Sequence, residues 1–173
     1  EEDDGDLYEG TVSDFSPLLY RTFEPKNDDT NPTLNPIVEL KEALSNTENL
    51  ESTLTEYIEL DDFLTFWALE SILNHWDGYS GNRNNYYVYH SSTTDKLTFI
   101  PWGFDDVLDP AFMEEDDAPF VFSKGIIANQ ILSDPNLTER FNDRVEYLLE
   151  TVWIEESIQS EIDRMETLLA TAI

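Results

Sequence analysis

The stretch NHWDGYSGNRNNYYVYHSSTTDKLTFIPWGFDDVL, from Asn74 to Leu108, carries the residue types that do chemistry. It opens on His75-Trp76-Asp77 and runs through four residues to Asn82. In a tight loop this spacing lets one carboxylate face an incoming hydroxyl while an amide oxygen, one turn later, faces a metal ion. A second metal-ligating acid must then arrive from a later element. Asp105, with Asp106 beside it, follows Phe104 at the far end of a strand-turn-strand pattern. A chain with Asp77 at one end of a hairpin and Asp105 at the other is set up to gather hard oxygen ligands around a divalent cation. Asn85 competes with Asn82 for the amide role, because the asparagine run leaves the register open. Structural roles compete as well. His75 suits a helix C-terminus, where a cation is favoured. Asn82, Asn84 and Asn85 suit turns that need left-handed backbone. Asp105 suits the cap of a following turn, and Trp76 and Trp102 read as packing residues.

The elements that must position these groups are mostly helical, so the expected class is α+β. Residues 1–36 read as an acidic, irregular lead-in with one short strand around Leu7 and Tyr8. Residues 37–76 read as helices. Ile37, Leu40 and Leu44 share a face over 37–46, and Leu50, Leu54, Tyr57 and Ile58 share one over 48–58. A third helix opens at Leu60 with Asp61 and Asp62 in its first turn, where the dipole favours acid. Phe63, Phe66, Trp67, Leu69, Ile72 and Leu73 make it apolar on most sides, hence buried and central. Residues 77–108 hold the loop and a hairpin. Gly78, Ser80 and Gly81 stop the helix, Tyr86–Tyr89 and Leu97–Ile100 are strands, and Pro101 ends ladder bonding. Residues 109–173 begin with an acidic loop and continue as helices over about 124–133, 136–152 and 154–172. Two apolar stripes there read as core: Leu137, Phe141, Val145, Leu148, Leu149 and Val152, then Ile154, Ile158, Ile162, Met165, Leu168 and Leu169. Asn136-Leu137-Thr138 matches a glycosylation acceptor, but at a helix start Asn136 is expected to cap.

The 173 residues suit one domain or a large part of one, and 13% aromatic content supports a real core. Asp and Glu number 38 against 9 Lys and Arg, a net charge of −29. Phosphate contacts need clustered cations, so nucleic acid is excluded as a partner. The acid reads as a solubility surface, as steering of basic substrates or cations, or as calcium loading. There are no cysteines, which removes disulfides and thiolate metal sites. No apolar run approaches the roughly 20 residues of a membrane span. No signal peptide is visible, and a start at Glu1 without Met suggests a piece of a longer protein.

His75-x-Asp77-x-x-x-x-Asn82 resembles the catalytic loop of protein kinases, where the Asp accepts the substrate hydroxyl proton and the Asn holds magnesium. The whole 74–108 stretch looks like the signature of the CotH family, the spore-coat-protein-H-like atypical kinases. Gly5–Gly10 (GDLYEG) and the helical tail are similar to the later part of that family's domain. The resemblance implies a kinase-like C-terminal lobe with a central β-hairpin. It implies Asp77 as the catalytic residue, Asn82, Asn85 and Asp105 as cofactor-binding residues, and Asp105, Asn82 and Asp106 as metal ligands. It further implies ATP with Mg2+ (or Mn2+ or Ca2+), a protein substrate that is basic and Ser/Thr-rich, and an extracellular, cell-surface or spore-coat setting. Two departures stand out. Where relatives read Pro-Trp-Asp-x-Asp, this chain has Pro101-Trp102-Gly103-Phe104-Asp105, with Asp106 as the compensating acid. None of Lys26, Lys41, Lys96 and Lys124 sits in a strand before a helical glutamate, so the nucleotide-covering lobe is expected upstream. The alternatives are a catalytically inactive cell-surface or spore-coat binding module of the same fold and, more remotely, a metal-dependent phosphohydrolase.

Overall fold

The computed structural model describes residues 4–27, 33–108 and 121–172, and within them the chain is α+β and mostly helical. Four antiparallel strands form one sheet: β1 (Asp6–Gly10), β2 (Glu24–Pro25), β3 (Tyr86–His90) and β4 (Leu97–Pro101), in the order β2-β1-β3-β4. The hairpin β3–β4 is therefore half of a larger sheet. The strand expected near Leu7 is a central one, lying between β2 and β3. Its register puts Tyr8 opposite Val88, and Val88 opposite Phe99, so one buried row crosses three strands. This is the inward face of a pleat with period two. Pro101 ends β4, which is an edge strand where a missing N–H costs no ladder bond.

The helices are α1 (Asn35–Asn46), α2 (Leu50–Tyr57), α3 (Leu60–Ile72), α4 (Ile126–Leu132), α5 (Pro135–Thr151) and α6 (Glu155–Ala172). α3 is the central one. Leu60, Phe63, Leu64, Phe66, Trp67 and Ala68 are all buried, against β4 on one side and α5 on another. Trp67 stacks on Phe141 of α5 at 3.8 Å and donates its indole N–H to the Phe122 carbonyl at 2.8 Å. Phe99 of β4 joins sheet to helix, with ring centroids 4.8 Å from Phe63, 5.6 Å from Phe66 and 5.3 Å from Tyr79. No described helix is long and apolar enough to cross a membrane.

Two expectations need correction. α5 is capped by Asp134, whose carboxylate accepts from the N–H groups of Asn136 and Leu137 at 2.9 and 3.2 Å; Asn136 is a first-turn residue with its side chain exposed. The stripe on α6 is not core: Ile158, Ile162, Met165 and Leu169 are all exposed. On α5 the stripe is buried at Leu137, Phe141 and Leu148, while Leu149 and Val152 face solvent. Helical spacing reports an amphipathic face, and the same face serves a core or a partner. Of the acidic loop expected over 109–123, residues 109–120 lie outside the described residues.

Because Phe99 couples two layers, Phe99→Ala should lower unfolding free energy by about 3–5 kcal/mol, read as a lower denaturant midpoint with unchanged slope.

Candidate active site

The site is built from the end of α3. After Leu73 the chain turns through Asn74, whose φ of 51° is left-handed and suits asparagine. The His75 N–H then bonds the Glu70 carbonyl at 2.8 Å. The Glu70 side chain, fully buried, reaches forward instead of out. Its Oε1 accepts from the Tyr79 N–H at 2.8 Å, and its Oε2 accepts from the Ser80 N–H at 2.9 Å and the Ser80 hydroxyl at 2.5 Å. One carboxylate thus stitches the next loop to the core helix. Gly78 is required beneath it, because a Cβ there would collide with Glu70 Oε1. Burial pushes Glu70 up to about 7, with the three donors pulling the other way.

Gly78 also organises the loop. Its carbonyl accepts from the N–H groups of Asn82, Arg83 and Asn84, at 2.9, 2.8 and 3.3 Å. The chain closes so tightly that a Cβ on Gly81 would overlap the Trp76 carbonyl. Asp77, half-buried, sits at the mouth of this loop. Its Oδ1 accepts from Asn82 Nδ2 at 2.7 Å, and its Oδ2 accepts from Asn85 Nδ2 at 2.9 Å and Asn84 Nδ2 at 3.1 Å. Three amides therefore fix one carboxylate. The two rival asparagines differ in their oxygens. Asn85 Oδ1 accepts from Asn84 at 3.3 Å, whereas Asn82 Oδ1 accepts nothing among the described residues.

The second acidic segment docks against this loop from β4. The Trp102 N–H bonds the Asn85 carbonyl at 3.1 Å. Gly103 follows with φ of +70°, and a Cβ there would lie 2.7 Å from Asn85 Cγ. A single 3-10 turn, Phe104–Asp106, comes next. His75 clamps it. Its Nε2 lies 3.2 Å from the Gly103 carbonyl and its ring 4.7 Å from that of Phe104. Since the partner is a carbonyl, Nε2 carries the proton and donates. Burial pushes the His75 pKa down, opposed by the Gly103 carbonyl and by the charges of Asp77 and Asp105. His75 is thus a buried, neutral clamp and not a cation at a helix end.

Asp77, Asn82, Asn84 and Asn85 form one hydrogen-bonded cluster. Asp105 joins it through its turn, which is held by His75 and docked on Asn85 by Trp102 and Gly103. Asp105 and Asp106 are both exposed, and neither accepts a hydrogen bond from a described residue. Among the described residues no three His, Cys, Asp or Glu side chains gather as a metal group. The oxygens on offer, from carboxylates and an amide, suit a hard divalent ion in kind. Magnesium takes few protein ligands and completes its shell with waters and substrate phosphates.

Glu70 is the residue that sequence reading missed; its signal is a lone acid on the buried side of an apolar helix, nine and ten residues before two N–H donors. Asp14 is a second, buried in the lead-in. It accepts from the N–H groups of Phe15 and Ile126 and from the Tyr79 hydroxyl, and burial pushes its pKa up. An acid whose pKa is higher folded than unfolded holds its proton more tightly in the native state. Glu70 should therefore lend full stability below about 4.5 and lose it as pH rises toward 7. Comparing unfolding free energies at pH 5 and 8, Glu70→Gln should flatten the fall by on the order of 3 kcal/mol.

A comparison with protein-family models matches residues 1–173 to the one described as CotH kinase protein. A comparison with curated proteins finds no match. The matched span contains the Asp77 loop, its anchor on α3 and the docked Asp105 turn, and the chain belongs to the CotH kinase family.

Proposed function

We propose that this chain carries the catalytic centre of a protein kinase that moves the γ-phosphoryl group of ATP to a Ser or Thr hydroxyl. The observation that supports this reading best is the Asp77 carboxylate, oriented by three asparagine amides in a loop clamped by His75 to the Asp105 turn. In this reading Asp77 accepts the proton of the attacking hydroxyl as its oxygen bonds to the γ-phosphorus and the bond to the bridging oxygen of ADP breaks. Asp105 and the Asn82 oxygen, with Asp106 beside them, would hold the divalent ion, which neutralises phosphate charge. That neutralisation matters here, since a chain of net charge −29 repels a bare nucleotide. The same surface favours a basic, Ser/Thr-rich protein substrate. Lys26 and Lys96 are paired with Glu9 and Glu59, and this reading takes the phosphate-gripping cation from a separate nucleotide-covering lobe. A setting at the cell surface or in a spore coat rests on family membership alone.

A second reading, an inactive binding module, draws on Gly103. The resemblance expects an acid there, and the left-handed turn packed on Asn85 suits glycine.

Asp105→Asn is the cleaner test, because Asp105 is exposed and its replacement should leave the melting temperature unchanged. Asp77→Asn would turn an amide N–H toward the asparagine donors and cost about 1–3 kcal/mol besides. With this chain joined to its nucleotide-covering lobe, a synthetic Arg/Ser-rich peptide, labelled ATP and magnesium, Asp105→Asn should cut transfer at least a hundredfold. Undiminished transfer would refute the assignment. Metal-independent binding of the peptide with both acids dispensable would establish the binding module instead.

A further inference from the structure

Among the described residues, α6 is a helix without a buried face. Every described side chain from Glu155 to Ala170 is exposed. Yet its composition is not that of a solvated helix. Ile158, Ile162, Met165 and Leu169 recur at spacings of four, three and four, which are the d and a positions of a heptad seam. Ile154 continues the apolar line toward α5. A shallow groove lined by Trp153, Ile158, Gln159 and Asp163 opens beside that end. A lone helix of this length is marginal in water, and most helical stability comes from packing an amphipathic face. Exposed apolar faces of this kind mark interaction sites.

Charge decides the occupant. Glu155, Glu156, Glu161, Asp163 and Glu166 stand on α6 against one cation, Arg164. Arg164 is already spent on Glu161, with bonds of 2.7 and 2.5 Å. In the heptad frame Glu161 falls at g and Glu166 at e, the positions that flank the seam and choose the partner. A second copy of this helix, laid parallel, would set Glu161 of one against Glu166 of the other, a like-charge pair. An anionic lipid surface is repelled on the same ground. A helix with Lys or Arg at e and g meets no such penalty. We propose that α6 is a docking helix for a partner protein, which it binds as a two-stranded coiled-coil-like pair with a basic amphipathic helix. This site is separate from the Asp77 cluster and does not depend on the kinase reading.

The test uses the full chain and a helical peptide of about 20 residues with Leu at a and d and Lys at e and g, alongside its counterpart with Glu at e and g. Fluorescence anisotropy in about 0.15 M salt suppresses long-range attraction. The Lys peptide should bind at least roughly tenfold tighter than the Glu peptide. Ile162→Ser with Met165→Ser should abolish that binding while leaving net charge and melting temperature unchanged, since neither side chain is packed. Equal binding of both peptides, or no binding, would overturn the proposal. Binding that survives the Ser pair would reduce it to charge attraction alone and overturn it too. Self-association in sedimentation velocity that the Ser pair removes would make a second copy the occupant.

Discussion

Everything in the Asp77 loop depends on a carboxylate that never touches solvent. Glu70 leaves the last turn of the core helix and caps two N–H groups and a hydroxyl of the loop that follows. A buried acid is tolerated only when it is well bonded, and the penalty for breaking such a contact is large. The loop thereby inherits the rigidity of α3, which is packed on nearly every side. Gly78 then passes this order on, since its carbonyl gathers three successive N–H groups at the base of the asparagine run. Asp77 is placed by this relay, and the three amides only finish the work.

The interior and the surface use the same residue type for opposite ends. Outside, acids are numerous and weakly partnered, and they set a field. Inside, Glu70 and Asp14 are few and multiply bonded, and they set geometry. Tyr79 links the two, offering its N–H to Glu70 and its hydroxyl to Asp14, while receiving the Ile127 N–H from α4. The lead-in, the core helix, the loop and α4 therefore meet at one tyrosine. This explains why a terminal segment with little regular structure contributes a central strand.

Much of this was legible in sequence. α3 announced itself by its aromatic and aliphatic density, the hairpin by two aromatic and aliphatic runs either side of a polar turn, and the candidate site by the interval from Asp77 to Asn82. What stayed hidden depends on contacts between distant residues. β1 looks like five residues of an acidic terminus until Val88 and Tyr86 arrive beside it. Glu70 is one letter in an apolar run, and its role exists only once Tyr79 and Ser80 fold back. The rivalry between Asn82 and Asn85 likewise turns on hydrogen-bond partners, because both donate to Asp77 and only the oxygens differ. The α6 stripe misled for another reason, as periodicity records which side is apolar and nothing about what covers it.

Gly103 and Asn85 have a consequence for how this sequence can change. The glycine turn and the asparagine amide occupy adjoining space, so a side chain at 103 must displace the one at 85. An acid placed at 103 would need a residue that tolerates left-handed backbone and, first, a smaller neighbour at 85. Shrinking residue 85 removes one of the three amides from Asp77. A third carboxylate at 103 would thus come at the cost of one of the ties that hold Asp77.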